Sequence, residues 1–188
     1  MEQRGKWLIG LMLGSALVLS GYAWWHQYQA GQRCAAFWGR HTAVLLRYAS
    51  QVEYVPLEEI VGQPTGEAWS QGGRSFRLGT PVDISKSRGL VHARHALVDD
   101  LSYHWEGTNR SQSDGPESDR HTPEWQFLLR FRQAGELATV AVDGERGFVG
   151  TAESATPLCF VPKIATAFRK KGEEWRQLAR PGLTTSGK

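Results

Sequence analysis

Trp125–Thr151 reads WQFLLRFRQAGELATVAVDGERGFVGT. Within it Trp125, Phe127, Leu129 and Phe131 alternate with Gln126, Leu128, Arg130 and Arg132. Successive side chains on a strand point to opposite faces, so this period of two predicts a half-buried strand. Gln133-Ala134-Gly135-Glu136 fits a short hairpin connection, and Leu137–Val142 reads as the returning strand. Asp143-Gly144 opens a second turn, and Phe148–Thr151 makes a third, shorter strand. The expectation is an antiparallel meander with one buried face, and that face needs a cover.

The segment that follows supplies one. Val161, Ile164, Ala165, Phe168, Gly172 and Trp175 recur at helical spacing, with Arg169, Lys170, Glu173 and Glu174 turned away. Pro162 suits the first turn of this helix, which should end near Arg180-Pro181-Gly182 and leave residues 181–188 as a disordered tail. The Arg169-Lys170-Lys171 run reads as a solvated face.

Upstream, Val52–Leu57 (VEYVPL) alternates and predicts a strand, with Pro56 consigning its end to a sheet edge. Glu58 and Glu59 follow; neighbours on a strand face opposite ways, so they do not form a carboxylate pair for acid/base work. Gly62–Gly73 (GQPTGEAWSQGG) predicts a loop, and without a Gly-Lys-Ser/Thr ending it is not a phosphate cradle. Ser75–Leu78 predicts a brief strand and Gly79-Thr80-Pro81 a turn.

Asp83–Asp100 (DISKSRGLVHARHALVDD) predicts a helix capped by Asp83 or Ser85, with Leu90, Ala93, Leu97 and Leu101 on its core face. His92, His95 and Asp99 gather on the opposite face, where two imidazoles and a carboxylate can meet one divalent metal; they are the one metal-site candidate. Arg88 projects there too, and a polar outer face would carry such residues anyway. Leu101–Trp105 predicts a strand, and 106–122 a polar mobile loop containing an Asn109-Arg110-Ser111 sequon. His121 and Asp119 lie in that loop with no framework to make them catalytic.

The N-terminal stretch has a different character. Trp7–Trp25 (WLIGLMLGSALVLSGYAWW) contains no charged residue. As a helix its 19 residues cover roughly 28 Å, about the hydrocarbon thickness of a bilayer. Trp7 closes one end and Tyr22, Trp24 and Trp25 the other, in the manner of aromatic belts. Residues 1–25 are therefore expected to be a cytoplasmic stub and transmembrane helix. The competing expectation is a signal peptide cut after Gly21-Tyr22-Ala23. Arg4 and Lys6 lie nearer the span than Arg33 and Arg40, which predicts the N-terminus inside and the globular domain outside the cytoplasm. Gly10 and Gly14 form a GxxxG that could support weak self-association. Residues 26–50 predict a juxtamembrane helix, with Cys34, Trp38, Leu45, Tyr48 and Val52 in one stripe, Phe37 and Val44 beside it and His41 within it.

In all, the sequence predicts an α+β protein: an N-terminal transmembrane helix, then a small domain over 51–180 with an antiparallel sheet of about 3–5 strands covered by helices. A formal charge of +3, spread along 188 residues, gives no case for nucleic acid. Cys34 and Cys159 are the only cysteines, and two free, buried thiols are expected rather than a bridge. No cofactor is expected apart from the divalent metal that His92, His95 and Asp99 would hold. The expected partners are membrane lipid through residues 7–25 and an unidentified protein. The functional expectation is a single-pass cell-membrane protein acting as a non-enzymatic binding or assembly module. The alternatives are a metal-dependent envelope enzyme using the His/His/Asp face and an exported soluble binding protein.

Overall fold

The structure, a computed structural model, describes residues 2–29, 31–60, 68–71, 74–105, 123–151 and 156–179; within the first helix, side chains are described for Trp7 and for 10–25. In chain order the elements are α1 (Glu2–Gln29), α2 (Gln32–Trp38), α3 (Arg40–Tyr48), β1 (Gln51–Ile60), β2 (Ala68–Gln71), β3 (Arg74–Leu78), β4 (Val82–Asp83) and α4 (Leu90–Val98). There follow a 3-10 turn (Asp100–Ser102), β5 (Phe127–Gln133), β6 (Glu136–Asp143), β7 (Phe148–Gly150), β8 (Leu158–Cys159) and α5 (Pro162–Leu178).

The antiparallel meander forms, but the single buried face does not: Leu128 is as buried as its neighbours, and Trp125 precedes β5 and joins the core on the side opposite Phe127, Leu129 and Phe131. β5 pairs β6 from Phe127↔Val142 to Gln133↔Glu136, and β6 pairs β7 through Ala141↔Gly150 to Asp143↔Phe148. Ala134 and Gly135 both have positive φ (51° and 86°), the signature of a tight hairpin turn whose twist matches its strands. The α+β class with an antiparallel sheet is therefore observed. The sheet is larger than 3–5 strands: the described residues form eight, in the order β2-β3-β1-β5-β6-β7-β8, with β4 beside β1. β4 and β8 are two residues each, too short to carry a period that a sequence reading can detect.

β1 is a central strand, which corrects the edge reading drawn from Pro56. It pairs β5 along one side, from Gln51↔Arg132 to Pro56↔Phe127. Along the other it meets β4 at Glu53 and Tyr54, then β3 from Leu57 to Ile60. Pro56 sits where that second side passes from one partner to the next. Its carbonyl accepts from Gly79 N–H (2.9 Å) on that side, while Leu57 N–H donates to Gln126 O (2.9 Å) on the β5 side. The missing N–H of Pro56 therefore faces the gap between β4 and β3, where no ladder bond is needed.

Both faces of the sheet are buried at its centre. Val52, Tyr54, Phe127, Leu129, Phe131, Val140 and Val142 face the helices, with Phe168 and Trp175 of α5 over them. On the other face Val55, Leu128 and Ala141 meet Trp69 and Phe76 of β2 and β3, and Trp125. The sheet curls so that its own outer hairpin covers that face. Trp69 stands edge-on to Trp125 at 6.0 Å. The expected Gly62–Gly73 loop thus contains a strand, β2, within Ala68–Gln71; the rest of that stretch lies outside the described residues.

α5 follows its predicted stripe, with Phe168, Gly172 and Trp175 buried and Pro162 in the first turn. A β-carbon on Gly172 would come within 2.8 Å of the Phe127 ring, so a bare backbone at that position lets helix and sheet close up. The single juxtamembrane helix expected over 26–50 is instead three pieces: the end of α1, then α2 and α3. Gly31 (φ 89°) and Gly39 (φ 77°) take backbone conformations that other residues resist, and each breaks the helical path. α2 and α3 fold back onto the domain, burying Cys34, Trp38, Leu45 and Leu46, while Tyr48 of the expected stripe and Val44 beside it stay exposed.

Two further expectations change. α4 begins at Leu90, not near Asp83; Asp83 lies in β4, and its carboxylate accepts from Ser85 N–H (2.8 Å) and Ser85 Oγ (2.5 Å). Ser85 Oγ in turn accepts from Val52 N–H (2.8 Å), tying the turn to β1 instead of capping a helix. The strand expected at Leu101–Trp105 is a 3-10 turn followed by one isolated bridge, Tyr103↔Phe160, and Leu101 points into solvent. The predicted loop 106–122, with its sequon, Asp119 and His121, lies outside the described residues.

Candidate functional site

The residues singled out for chemistry are not drawn together. His92 and His95 are exposed on α4. Asp99 lies one residue past the end of that helix in extended conformation, its carboxylate accepting from Leu101 N–H (3.1 Å). Among the described residues, no group of three or more His, Cys, Asp or Glu side chains could hold a metal ion. His41 stands exposed at 3.4 Å from Glu136 across to β6.

Several other polar side chains serve as joints. Asp100 reaches back to the first turn of α2, accepting from Cys34 N–H (2.8 Å) and Arg33 N–H (3.2 Å). A carboxylate there satisfies helix donors that have no partner in the helix itself. Trp38 Nε1 and Tyr103 Oη both donate to Leu97 O (2.7 and 2.9 Å), which fixes α2 and the 3-10 turn against α4. Asp143 is fully buried, yet its carboxylate accepts from Glu124, Glu145 and Arg146 backbone N–H groups at 2.8–3.1 Å, so it organises the β6–β7 turn. Arg74 forks onto Glu59 (2.7 and 2.5 Å) and also donates to Pro123 O (3.1 Å). That pairing holds the Glu59 carboxyl below its ordinary range. Glu58 is exposed beside it, and the two form no shared acid/base site.

The cysteines are free. Burial, with Asp100 alongside, pushes the Cys34 thiol well above its ordinary range, and burial raises Cys159 as well. A raised thiol carries little thiolate and is a poor nucleophile.

Two surface features remain, and they adjoin. The first is α1. Its large apolar side chains from Leu11 to Trp25, and Trp7 before them, are 57–81% exposed, and neither apolar core draws on any of them. Among the described residues no helix is long and apolar enough to cross a membrane. Described side chains in α1 run unbroken only from Gly10 to Trp25, roughly 24 Å of helix. Gly10 and Gly14 have open space about them.

The second is a groove of about 360 Å³ between α2 and α3, lined by Gly31, Arg40, Val44, Arg47, Tyr48 and Val98 among others. It opens two residues beyond the end of α1. The sequence does not reveal it, because a continuous helix over 26–50 puts Tyr48 in the apolar stripe and Val44 beside it. The signal available was Gly31 and Gly39, each of which could end a helical segment.

No protein-family model, curated protein or solved structure matches this chain.

Proposed function

We propose that this chain is a membrane-tethered binding or assembly module. Residues 7–25 are its single-pass anchor, and the α+β domain meets a protein partner at the membrane surface, outside the cytoplasm. The observation that carries the reading is the contrast between α1 and the rest. The domain completes two apolar cores without α1, while α1 presents bulky apolar side chains all round. An exposed apolar surface of that size calls for a non-aqueous cover, and lipid covers every side of a helix at once. Leu8 and Ile9 extend the apolar run to the length of a bilayer core, and Trp7, Tyr22, Trp24 and Trp25 suit its two interfaces. α1 continues without a break through Gly21–Ala23 to Gln29, which favours a retained anchor over cleavage after Ala23. Arg4 and Lys6 support an N-terminus held inside. The structural tasks of Asp100, Asp143 and Arg74 support a scaffold that presents a surface.

Two tests apply. Replacing Leu13 and Val18 with Arg costs on the order of 3 kcal/mol at each site in a bilayer. The paired variant should move from membrane to supernatant, while Leu101→Arg in the domain should not; equal behaviour of the two would refute the anchor. Crosslinking in intact cells, followed by mild detergent, should recover a discrete protein partner, and its absence would refute the assembly role.

A further inference from the structure

We propose that the groove between α2 and α3 seats the phosphate of an anionic phospholipid headgroup, a site that rests on the reading of α1 as a membrane anchor. Arg40 and Arg47 are two turns apart on one face of α3, and both line the groove. No acidic residue lines it, and neither guanidinium forms an ion pair among the described residues. The Asp100 carboxylate accepts from the α2 backbone, and Glu136 lies 3.4 Å from His41. The groove therefore presents two arginines with no carboxylate in its lining, and arginine binds phosphate oxygens through paired N–H donors.

The rest of the lining fits a lipid better than a free anion. Val44 and Tyr48 flank the arginines on the same face and are 55% and 63% exposed. Such a face places apolar and aromatic groups at the headgroup–acyl boundary while the arginines reach the phosphates. Position agrees. Gly31 lines the groove and lies six residues after Trp25, roughly 9 Å of helical rise, so the groove opens on the side of the domain next to the anchor. α3 buries Leu45 and Leu46 in the domain, so the headgroup contact would fix the domain's tilt on the membrane.

Full-length protein in detergent micelles should be titrated with dihexanoyl-phosphatidylglycerol, dihexanoyl-phosphatidylcholine and inorganic phosphate, with calorimetry as the readout. Saturable binding of the phosphatidylglycerol alone is expected. The paired variant Arg40→Gln, Arg47→Gln should bind it roughly 30-fold more weakly, about fivefold for each charge removed. Equal binding of both lipids, or an unchanged affinity in the paired variant, would overturn the site. Phosphate binding as tight as phosphatidylglycerol would overturn the lipid assignment. Washing membranes with alkaline carbonate separates this from the anchor itself. Both proteins staying in the pellet with no phosphatidylglycerol binding defeats the groove alone, whereas release of the wild type defeats the anchor on which the groove depends.

Discussion

At the scale of single residues, this chain uses polar groups as fasteners between segments distant in sequence. Ser85 is the clearest case, since one hydroxyl donates to Asp83 and accepts from Val52 N–H. Ser85→Ala removes both bonds and should cost about 1–2 kcal/mol, measured by urea unfolding at neutral pH. The loss should also depend on pH. The Ser85 bonds hold the Asp83 carboxyl below its ordinary range. A depressed carboxyl stabilises the fold above its unfolded-state pKa, and the contribution fades as pH falls through the folded value. The gap between wild type and Ser85→Ala should therefore narrow on acidification, and a gap constant with pH would contradict the linkage. None of these fasteners was legible beforehand. Ser85 and Asp83 read as helix caps because a cap and a turn use the same short polar side chains for the same kind of bond. Asp100 reaches 66 residues back along the chain to Cys34, a distance no local pattern encodes.

At the scale of elements, legibility followed length and period. β5, β6 and α5 are long enough to repeat their pattern several times, and they appear close to where the sequence put them. The curl of the sheet was hidden because β2 spans four residues in a Gly-rich stretch, and its buried Trp69 gave the only local hint of a second core. The break of the juxtamembrane helix is hidden because the apolar period continues across Gly31 and Gly39, whose positive φ only the folded chain reveals. Two substitutions test the packing. Ala134 holds a left-handed conformation in the β5–β6 turn (φ 51°), which costs a side chain bearing a β-carbon roughly 1 kcal/mol. Asn tolerates that region better, so Ala134→Asn should stabilise by about 0.5–1 kcal/mol, seen as a rise of a few degrees in Tm. Gly172→Ala should do the reverse. Helix propensity alone would favour Ala by about 1 kcal/mol. The clash with the buried Phe127 ring should outweigh it and leave a net loss of about 1–2 kcal/mol in thermal or denaturant melts. A gain in stability would mean that α5 rides further from the sheet.

At the scale of the whole molecule, the chain divides by solvent. The domain builds two apolar cores, one on either face of one sheet. The described side chains of α1 lie outside both, and the groove bearing Arg40 and Arg47 lies on the domain's side of the junction. The candidate site was half legible: the apolar stretch was plain in the sequence, while the groove beside it depends on a chain reversal that only tertiary packing creates. The central claim is that lipid is the natural surrounding of residues 7–25. Alkaline carbonate washing of membranes carrying the full-length chain, beside a chain beginning at Gly31, measures this most directly. The account predicts the full-length protein in the pellet, extracted only by detergent, with the shorter chain folded in the supernatant. Full-length protein with its N-terminus intact, released by carbonate without detergent, would contradict it.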